Sequence, residues 1–587
     1  MKKNTFHTLV IGTGCAGYNA ADWLHNLGIH DIAIVTEGIN MGTSRNTGSD
    51  KQTYYKLAIA GPGTDSVYEM ANTLFSGGSV HGDTALIEAS SSATAFMKLV
   101  HLGVPFPTNR YGAFVGYQTD HDEAKRQRAT SCGPLTSKHM TEALQKSVEK
   151  RGIPVLDNSQ VIKLLVEGNE IRGIVTLGRD GYTALYCQNV VLATGGPAGI
   201  YHDVVFPESQ TGGTGLALAA GAAACNLQEW QYGLASVDFR WNVSGTYQQV
   251  LPRYISVDDA GNEYEFLPEH YDTPNQALDM VFLKGYQWPF DAQKIAGSSR
   301  VDQLVAAEIN EKGRKVYMDF RRNPSGLDYA KLAPETFEYL EKSGAQFGTP
   351  IERLAKMNTK AINLYKDNGI DLYTQPLRIA VCAQHCNGGI AVDANWESTV
   401  KGLYVVGEAA GSFGVYRPGG SALNATQVGS MRAAQHIAKK GDTATATQNT
   451  YHHENTNAEQ PDFAYFKSIQ TRMSHHAAYV RDTAEMEKLH AELCDYRDKY
   501  QHTGSPAAYK NYDLLLTQIA VLSAMIFSAK EIGSRGGAVV DGKPLGANVK
   551  SFDNRVVTTT NNGSKFEPVR PMPQPDDWFE NVWNEQQ

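Results

Sequence analysis

The distribution of apolar and polar positions divides the chain into stretches of different texture. Residues 7–37 read strand–turn–helix–strand: HTLVI is a β-rich run, GTGCAG a turn, YNAADWLHNLG an amphipathic helix and DIAIVTE a second strand. Residues 138–150 (KHMTEALQKSVEK) carry helical periodicity, and VIKLLVEGNEIRGIVTL alternates as a β-hairpin turning at Gly168-Asn169. NVVLATGG (189–196) predicts a buried strand ending in glycines, and GLALAAGAAA (215–224) a small-residue helix packed closely on a sheet. From about 236 to 355 the sequence becomes aromatic and turn-rich, with one clear helix around 301–311. Strand-and-glycine texture returns near 377 and runs through KGLYVVGEAAG (401–411). Residues 463–535 carry long helical patterns, and the remainder to Gln587 is polar and ends in aromatics. The expected architecture is α/β: one unit from 1–235 and 356–440, an insertion at 236–355, a helical unit at 441–545 and an irregular tail at 546–587.

Composition narrows the partners. The 587 residues leave room for several cores, and 42% hydrophobic with 20% charged residues is ordinary for a soluble globular protein. A net charge of −9, without a basic stripe, argues against nucleic acid or an anionic membrane. The apolar run in MKKNTFHTLVIGTG is too short for a signal peptide and passes straight into a glycine motif. LLLTQIAVLSAMIFSA (514–529) contains Thr517 and Gln518 and falls short of the roughly 20 apolar residues that a bilayer needs, so a buried helix is expected. Seven cysteines, an odd number scattered from Cys15 to Cys494, do not form a disulfide framework and fit a reducing cytoplasm.

Gly12-Thr-Gly14-Cys15-Ala16-Gly17 follows a strand and opens a helix, the context in which G-x-G-x-x-G binds a dinucleotide. Gly12 permits the tight turn, Gly14 lets the backbone reach a pyrophosphate at the helix N-terminus, and Gly17 lets helix and strand approach. Glu37, followed by Gly38, closes the second strand where a carboxylate accepts hydrogen bonds from a ribose. The motif alone does not separate NAD from FAD. Two further strand ends closing on glycine, ATGG (193–196) and GLYVVGEAAG (402–411), complete a pattern that resembles the fumarate reductase, succinate dehydrogenase and L-aspartate oxidase flavoprotein superfamily over nearly the whole chain. SAKEIGSRGGAVV is similar to the end of that family's helical domain. The resemblance implies a Rossmann-like FAD-binding domain interrupted by an α+β capping domain, then a C-terminal helical domain. It also implies Ser44, Thr47, Gly48, Val161, Ala193, Thr194, Gly195, Thr214, Glu408, Gly420, Ser421 and Leu423 as further cofactor-binding residues.

VCAQHCNGGI (381–390) offers three chemistries: a metal site, a thiol pair or a catalytic imidazole. Cys382, His385 and Cys386 have no second Cys/His group at matching spacing, so no metal is expected. In the family a histidine shortly before Gly-Gly holds a substrate carboxylate or carbonyl, and His385 matches it with an interval one residue shorter. GVYRPGGSALNATQVGS (414–430) is similar to the family's Arg-x-Gly-Gly segment, which makes Arg417 an anion clamp. The family's catalytic arginine precedes a capping-domain helix, and SSRVDQLVAAEI puts Arg300 there.

Four departures shape the expected function. Ser44 stands where covalently flavinylated members carry histidine, which implies FAD held without a covalent bond. Ser49, Asp50 and Lys51 replace a glycine pair near the flavin, where an inward Lys51 would tune it. The family's Gly-Asp-Gly becomes Gly213-Thr214-Gly215. Gly233 in EWQYGLAS replaces a substrate-binding histidine, and GTYQQVLPRYIS replaces the segment that holds a second carboxylate and relays protons. These losses argue against fumarate, succinate and aspartate, and make Tyr232, Thr246, Tyr247, Gln248 and Arg253 candidates for a different pocket; whether Gln248 and Tyr232 fill the space of the missing histidine is left open by the sequence. The resemblance then implies an FAD-dependent oxidoreductase acting on a C–C bond beside a carbonyl or carboxylate, with hydride transfer at flavin N5, Arg300 serving the proton, and His385 and Arg417 holding the substrate. Alternatives are an electron-transfer subunit beside a separate iron–sulfur protein, an FAD-dependent hydratase or isomerase, or a binding module.

Overall fold

A computed structural model describes residues 3–59, 63–117, 126–210, 212–441, 462–500, 504–546, 554–575 and 577–585. The start of the expected helical unit, 442–461, lies outside them. The first predicted unit forms as read: β1 (Thr5–Ile11), α1 (Cys15–Asn26) and β2 (Ile32–Val35). All of β2 and six of the seven residues of β1 are buried, as the continuous apolar runs of a sheet covered on both faces require. β3 (Gly181–Leu192) is the spine of a seven-stranded sheet. Its last residues run parallel to β1, with Leu9 opposite Val190, and parallel to Leu403–Val405, with Leu403 opposite Val190. Its first half is antiparallel to Glu170–Gly178, which turns at Gly168-Asn169 into Gln160–Glu167. Both turn residues have positive φ, 58° and 63°, the geometry of a two-residue hairpin.

α2 (Thr214–Ala219) is shorter than the small-residue run predicted, because the chain turns at Gly221 with φ 90° and Ala224–Cys225 pairs into another sheet. The insertion is larger and more helical than expected. Its six-stranded antiparallel sheet includes β4 (Trp230–Ser236) and β5 (Leu377–Cys386), and its apolar cluster runs from Leu234 to Ile379. The expected boundary at 355 falls inside the helix Pro350–Asp367. β4 and β5 cross from this sheet toward the first unit, so β5 delivers His385 to the junction.

α3 (Ser421–Lys440) packs on α1, and α4 (Pro506–Glu531) packs on α2 and on Gln160–Glu167. Among the described residues α4 alone is long and apolar enough to cross a membrane; half of its apolar window is buried in the fold. The tail expected to be irregular contains a hairpin, Val556–Thr560 with Gly563–Glu567, whose first strand pairs with Ala224–Cys225 and buries Val557. Arg570 then pairs with Asp83 at 2.6 Å, and Trp578, Phe579 and Trp583 stay exposed.

Gly17 is where helix and strand press closest: a methyl there would lie 2.0 Å from the Gly12 carbonyl oxygen. Gly17→Ala should lower the thermal unfolding midpoint through an overpacking cost of ~1–3 kcal/mol. Gly297→Ala, where a methyl meets nothing nearer than 3.5 Å, should leave the midpoint close to that of the parent in the same calorimetric scan.

Candidate functional site

The ends of β1, β2 and β3, the loop after Leu403–Val405 and the end of β5 surround a cavity of about 290 Å³. Of the predicted cofactor residues, Gly12, Gly14, Ala16, Glu37, Gly38, Ser44, Thr47, Val161, Ala193, Thr194, Gly195, Glu408 and Leu423 line it. The others serve from behind. The Cys15 thiol turns away to the Thr141 hydroxyl, 3.1 Å, and Gly17 sits against Gly12. Gly48 lies under Trp241 and the Pro134 carbonyl, and Gly420 makes the φ +89° turn into α3 beside Thr53. Thr214 opens α2, and Ser421 opens α3 beside a smaller cavity.

The lining fits an extended dinucleotide. A methyl at Gly12 would meet the Ala193 oxygen at 2.6 Å, and one at Gly14 the Ser44 hydroxyl at 3.2 Å, so only glycine leaves room for a ligand beside this turn. The Cys15 amide at the α1 N-terminus donates to Ser44 Oγ at 3.3 Å, an anion-seeking donor now held by a neutral hydroxyl. Thr194 Oγ1 is buried without a partner among the described residues, and so are Thr214 Oγ1 and Ser421 Oγ.

Sequence reasoning missed several wall residues, because amides in loops carry no motif. Gln210 Nε2 donates to the Thr194 carbonyl at 2.5 Å and holds the β3 end open. Gln52, at the rare φ of 41°, donates to the Thr47 carbonyl and to Ser137 Oγ, 3.2 and 2.6 Å. Asp513 of α4 accepts from the Gly213 and Leu216 amides, 3.0 and 2.8 Å, and supplies from another element an acid where Gly213-Thr214-Gly215 lacks one. Burial pushes its carboxyl up to about 7.

His385, 7% exposed, and Glu408 share one part of the wall. The Asn387 Nδ2 donates to the Val415 carbonyl at 3.0 Å, which turns its Oδ1 toward His385 Nδ1, also 3.0 Å away. His385 Nδ1 therefore carries the proton, and Nε2 presents a lone pair. Among the described residues Nε2 has no hydrogen-bond partner, and it lies 3.9 Å from Glu408 Oε1. Burial and then Arg417 hold the imidazole well below its ordinary pKa, so it is neutral. Glu408 accepts from the Cys386 amide at 3.1 Å and packs on Gly196, where a methyl would meet its oxygen at 2.5 Å. Burial raises its carboxyl to about 7.

Arg417 stands outside the main cavity. Its Nη2 donates to Gln231 Oε1 at 2.7 Å, and its buried Nε has no partner among the described residues. With Glu88, Ser412, Phe413 and Ser421 it lines the smaller cavity, of about 10 Å³. Burial lowers the guanidinium to about 10 and raises Glu88 to about 8. Cys382 and Cys386 are buried and held as thiols by burial, which does not favour a reactive pair.

The capping-region candidates take other places. Arg300 is exposed: Ser299 and Asp302 face inward on the helix Ser299–Asn310, and Arg300 turns out onto the Tyr271 ring at 5.3 Å. It is not placed to serve a proton at the cavity. The buried cation nearby, Lys284, is taken up by Asp302 at 2.7 Å and by the Gln287 and Trp288 carbonyls. Thr246 donates to Asp50, which caps its short helix; Tyr247 donates to the Ala361 carbonyl; and Gln248 accepts from Tyr254 at 2.6 Å. Arg253 pairs with Glu263 and Glu265, and Tyr232 bonds Tyr201 at 3.0 Å. These five are core and surface groups of the capping sheet, and none lines the cavity. Lys51 is exposed over the Tyr117 ring. Trp288 stands beside Gly233, where a methyl would meet its ring at 3.0 Å, while Gln248 is held by the Val243 carbonyl and the Tyr254 hydroxyl.

Comparison with known proteins agrees with this architecture. A family model described as an FAD binding domain matches residues 7–423. L-Aspartate oxidase of Agrobacterium fabrum is 24% identical over 536 residues, 90% of each chain. A fumarate reductase (CoM/CoB) chain of Methanothermobacter marburgensis is 24% identical over 439 residues, 73% of this chain and 72% of that one. Mycobacterium smegmatis Sdh1 in complex with UQ1 superposes with a TM-score of 0.72 at 17% identity, covering 98% of this chain and 96% of that one. A point variant of the E. coli quinol fumarate reductase chain FrdA gives 0.67 at 19% identity, covering 98% of both. The chain therefore belongs to the FAD-binding-domain family, among the FAD-dependent oxidoreductases of the flavoprotein superfamily of fumarate reductases, succinate dehydrogenases and L-aspartate oxidases, and its cofactor is FAD.

Proposed function

We propose that the protein reduces, or in reverse forms, a C–C double bond conjugated to a single carbonyl or carboxylate. FAD held by the Gly12–Gly14 turn, Glu37 and Thr194 would supply the hydride chemistry at one carbon of that bond. The neighbouring carbon takes its proton from the Glu408–His385 couple. Below about pH 7 the Glu408 carboxyl holds the transferable proton, 3.9 Å from the lone pair of His385 Nε2. Delivery leaves Glu408 as a carboxylate. The reverse reaction returns the proton to it. Arg417 supplies fixed positive charge behind the imidazole, where negative charge grows on the substrate oxygen. The observation that carries the reading is the pairing at the FAD cavity of an unpartnered imidazole nitrogen with a carboxyl that titrates near neutrality. A substrate with one electron-withdrawing group fits Gly233, which by resemblance replaces a histidine that holds a second carboxylate and whose side-chain space here meets the Trp288 ring. Seven scattered cysteines offer no iron–sulfur cluster run, so the electron donor in this reading is a separate protein.

With the flavin reduced under argon, at least one member of a panel of enones and mono-enoates should reoxidise it in stopped flow; reoxidation by every member at the buffer rate alone contradicts the proposal. The turnover number for reduction should fall as pH rises through about 7, when Glu408 loses its proton. Glu408→Gln should remove that limb and cost ~10²–10⁴-fold in rate. Because Ser44 stands where covalent members carry histidine, acid precipitation should release all of the flavin into the supernatant.

A further inference from the structure

One face of α4 forms part of the cavity wall, although it lies far along the chain from the FAD motifs: Tyr509, Lys510 and Asp513 all line the cavity. The helix start is fixed in place. Ser505 caps it by accepting from the Ala508 amide, and Gln160, itself a wall residue, donates to the Pro506 carbonyl at 3.1 Å. Tyr509 meets the Tyr182 ring edge-on at 6.4 Å. One turn on, Asp513 is bound by the Gly213 and Leu216 amides, so the helix cannot shift without opening the N-terminus of α2. Between these anchors Lys510 Nζ pairs with Glu37 Oε2 at 2.5 Å. Glu37 is the carboxylate at the end of β2 where the dinucleotide fold takes the cofactor's ribose.

We propose that Lys510 is a cofactor-holding residue and α4 a latch: the ammonium clamps Glu37 over the adenosine side of bound FAD, so that FAD leaves only when the first turns of α4 undock. Two physical reasons support this. A lysine beside the cavity offsets the charge of Glu37, whose carboxylate would otherwise add to the negative potential that an anionic cofactor meets there. The pair is also partly shielded, with side chains 32% and 25% exposed, so its attraction is less screened than that of a surface pair. The latch rests on the FAD site alone and is independent of the substrate reading.

The test uses the purified holoprotein and follows recovery of flavin fluorescence after dilution into excess apo-scavenger. Lys510→Met should release FAD at least tenfold faster than the parent, and Lys510→Arg should restore slow release. In hydrogen exchange, the amides of 507–513 should be protected by added FAD in the parent and much less so in Lys510→Met. A matched circular dichroism spectrum and melting midpoint for the apo forms establish that the variant folds. Release from Lys510→Met within twofold of the parent overturns the proposal. So does fast release from both variants, which would assign the effect to helix packing rather than to the cation, and so does protection of 507–513 that is indifferent to FAD.

Discussion

A single half-buried carboxyl group, on the wall of the FAD cavity, ties three strand ends of this molecule together. Glu408 follows the strand Leu403–Val405, packs on Gly196 at the end of β3, and accepts the Cys386 amide at the end of β5. Three strand ends from two sheets thus converge on one side chain. A carboxylate in that position would need more donors than the single amide it receives, and this shortage moves its titration to about 7. Stronger solvation would leave Glu408 an ordinary anion with no proton to give. With no carboxyl there, His385 Nε2 would face the cavity alone.

The nucleotide-binding half was legible because its constraints are local. Gly12, Gly14, Gly17 and Glu37 encode a turn, an approach and a strand end within one short strand–helix–strand unit, and each stands where that unit needs it. His385 was legible from its place before a glycine pair. Its chemistry was not: Asn387, two residues on, fixes which ring nitrogen bears the hydrogen, and so turns an expected donor into an acceptor. Arg300 was misplaced for a similar reason. Position before a helix sets where the backbone goes, but the rotation of the helix decides that Asp302 faces in toward Lys284 while the arginine faces out.

The least readable features join distant segments. Asp513 and Lys510 lie some three hundred or more residues beyond the glycines and strand that they serve, on a helix whose apolar sequence gives only the signal of burial. The hairpin at 556–567 was hidden by polar Thr and Asn content, because its strand is buried by pairing to Ala224–Cys225 rather than by an apolar run. Trp288 beside Gly233 is a compensation of the same kind: a glycine that in sequence only lacks a side chain leaves space that an indole from another loop occupies.

The central claim, that the carboxyl beside His385 holds a proton near neutrality, is most directly tested by pH-difference infrared spectroscopy of the parent and the Glu408→Gln variant. The parent should show a protonated-carboxyl stretch that disappears as pH rises through about 7, and the variant should lack it. A parent in which no such band separates from that of the variant at any pH would contradict the account.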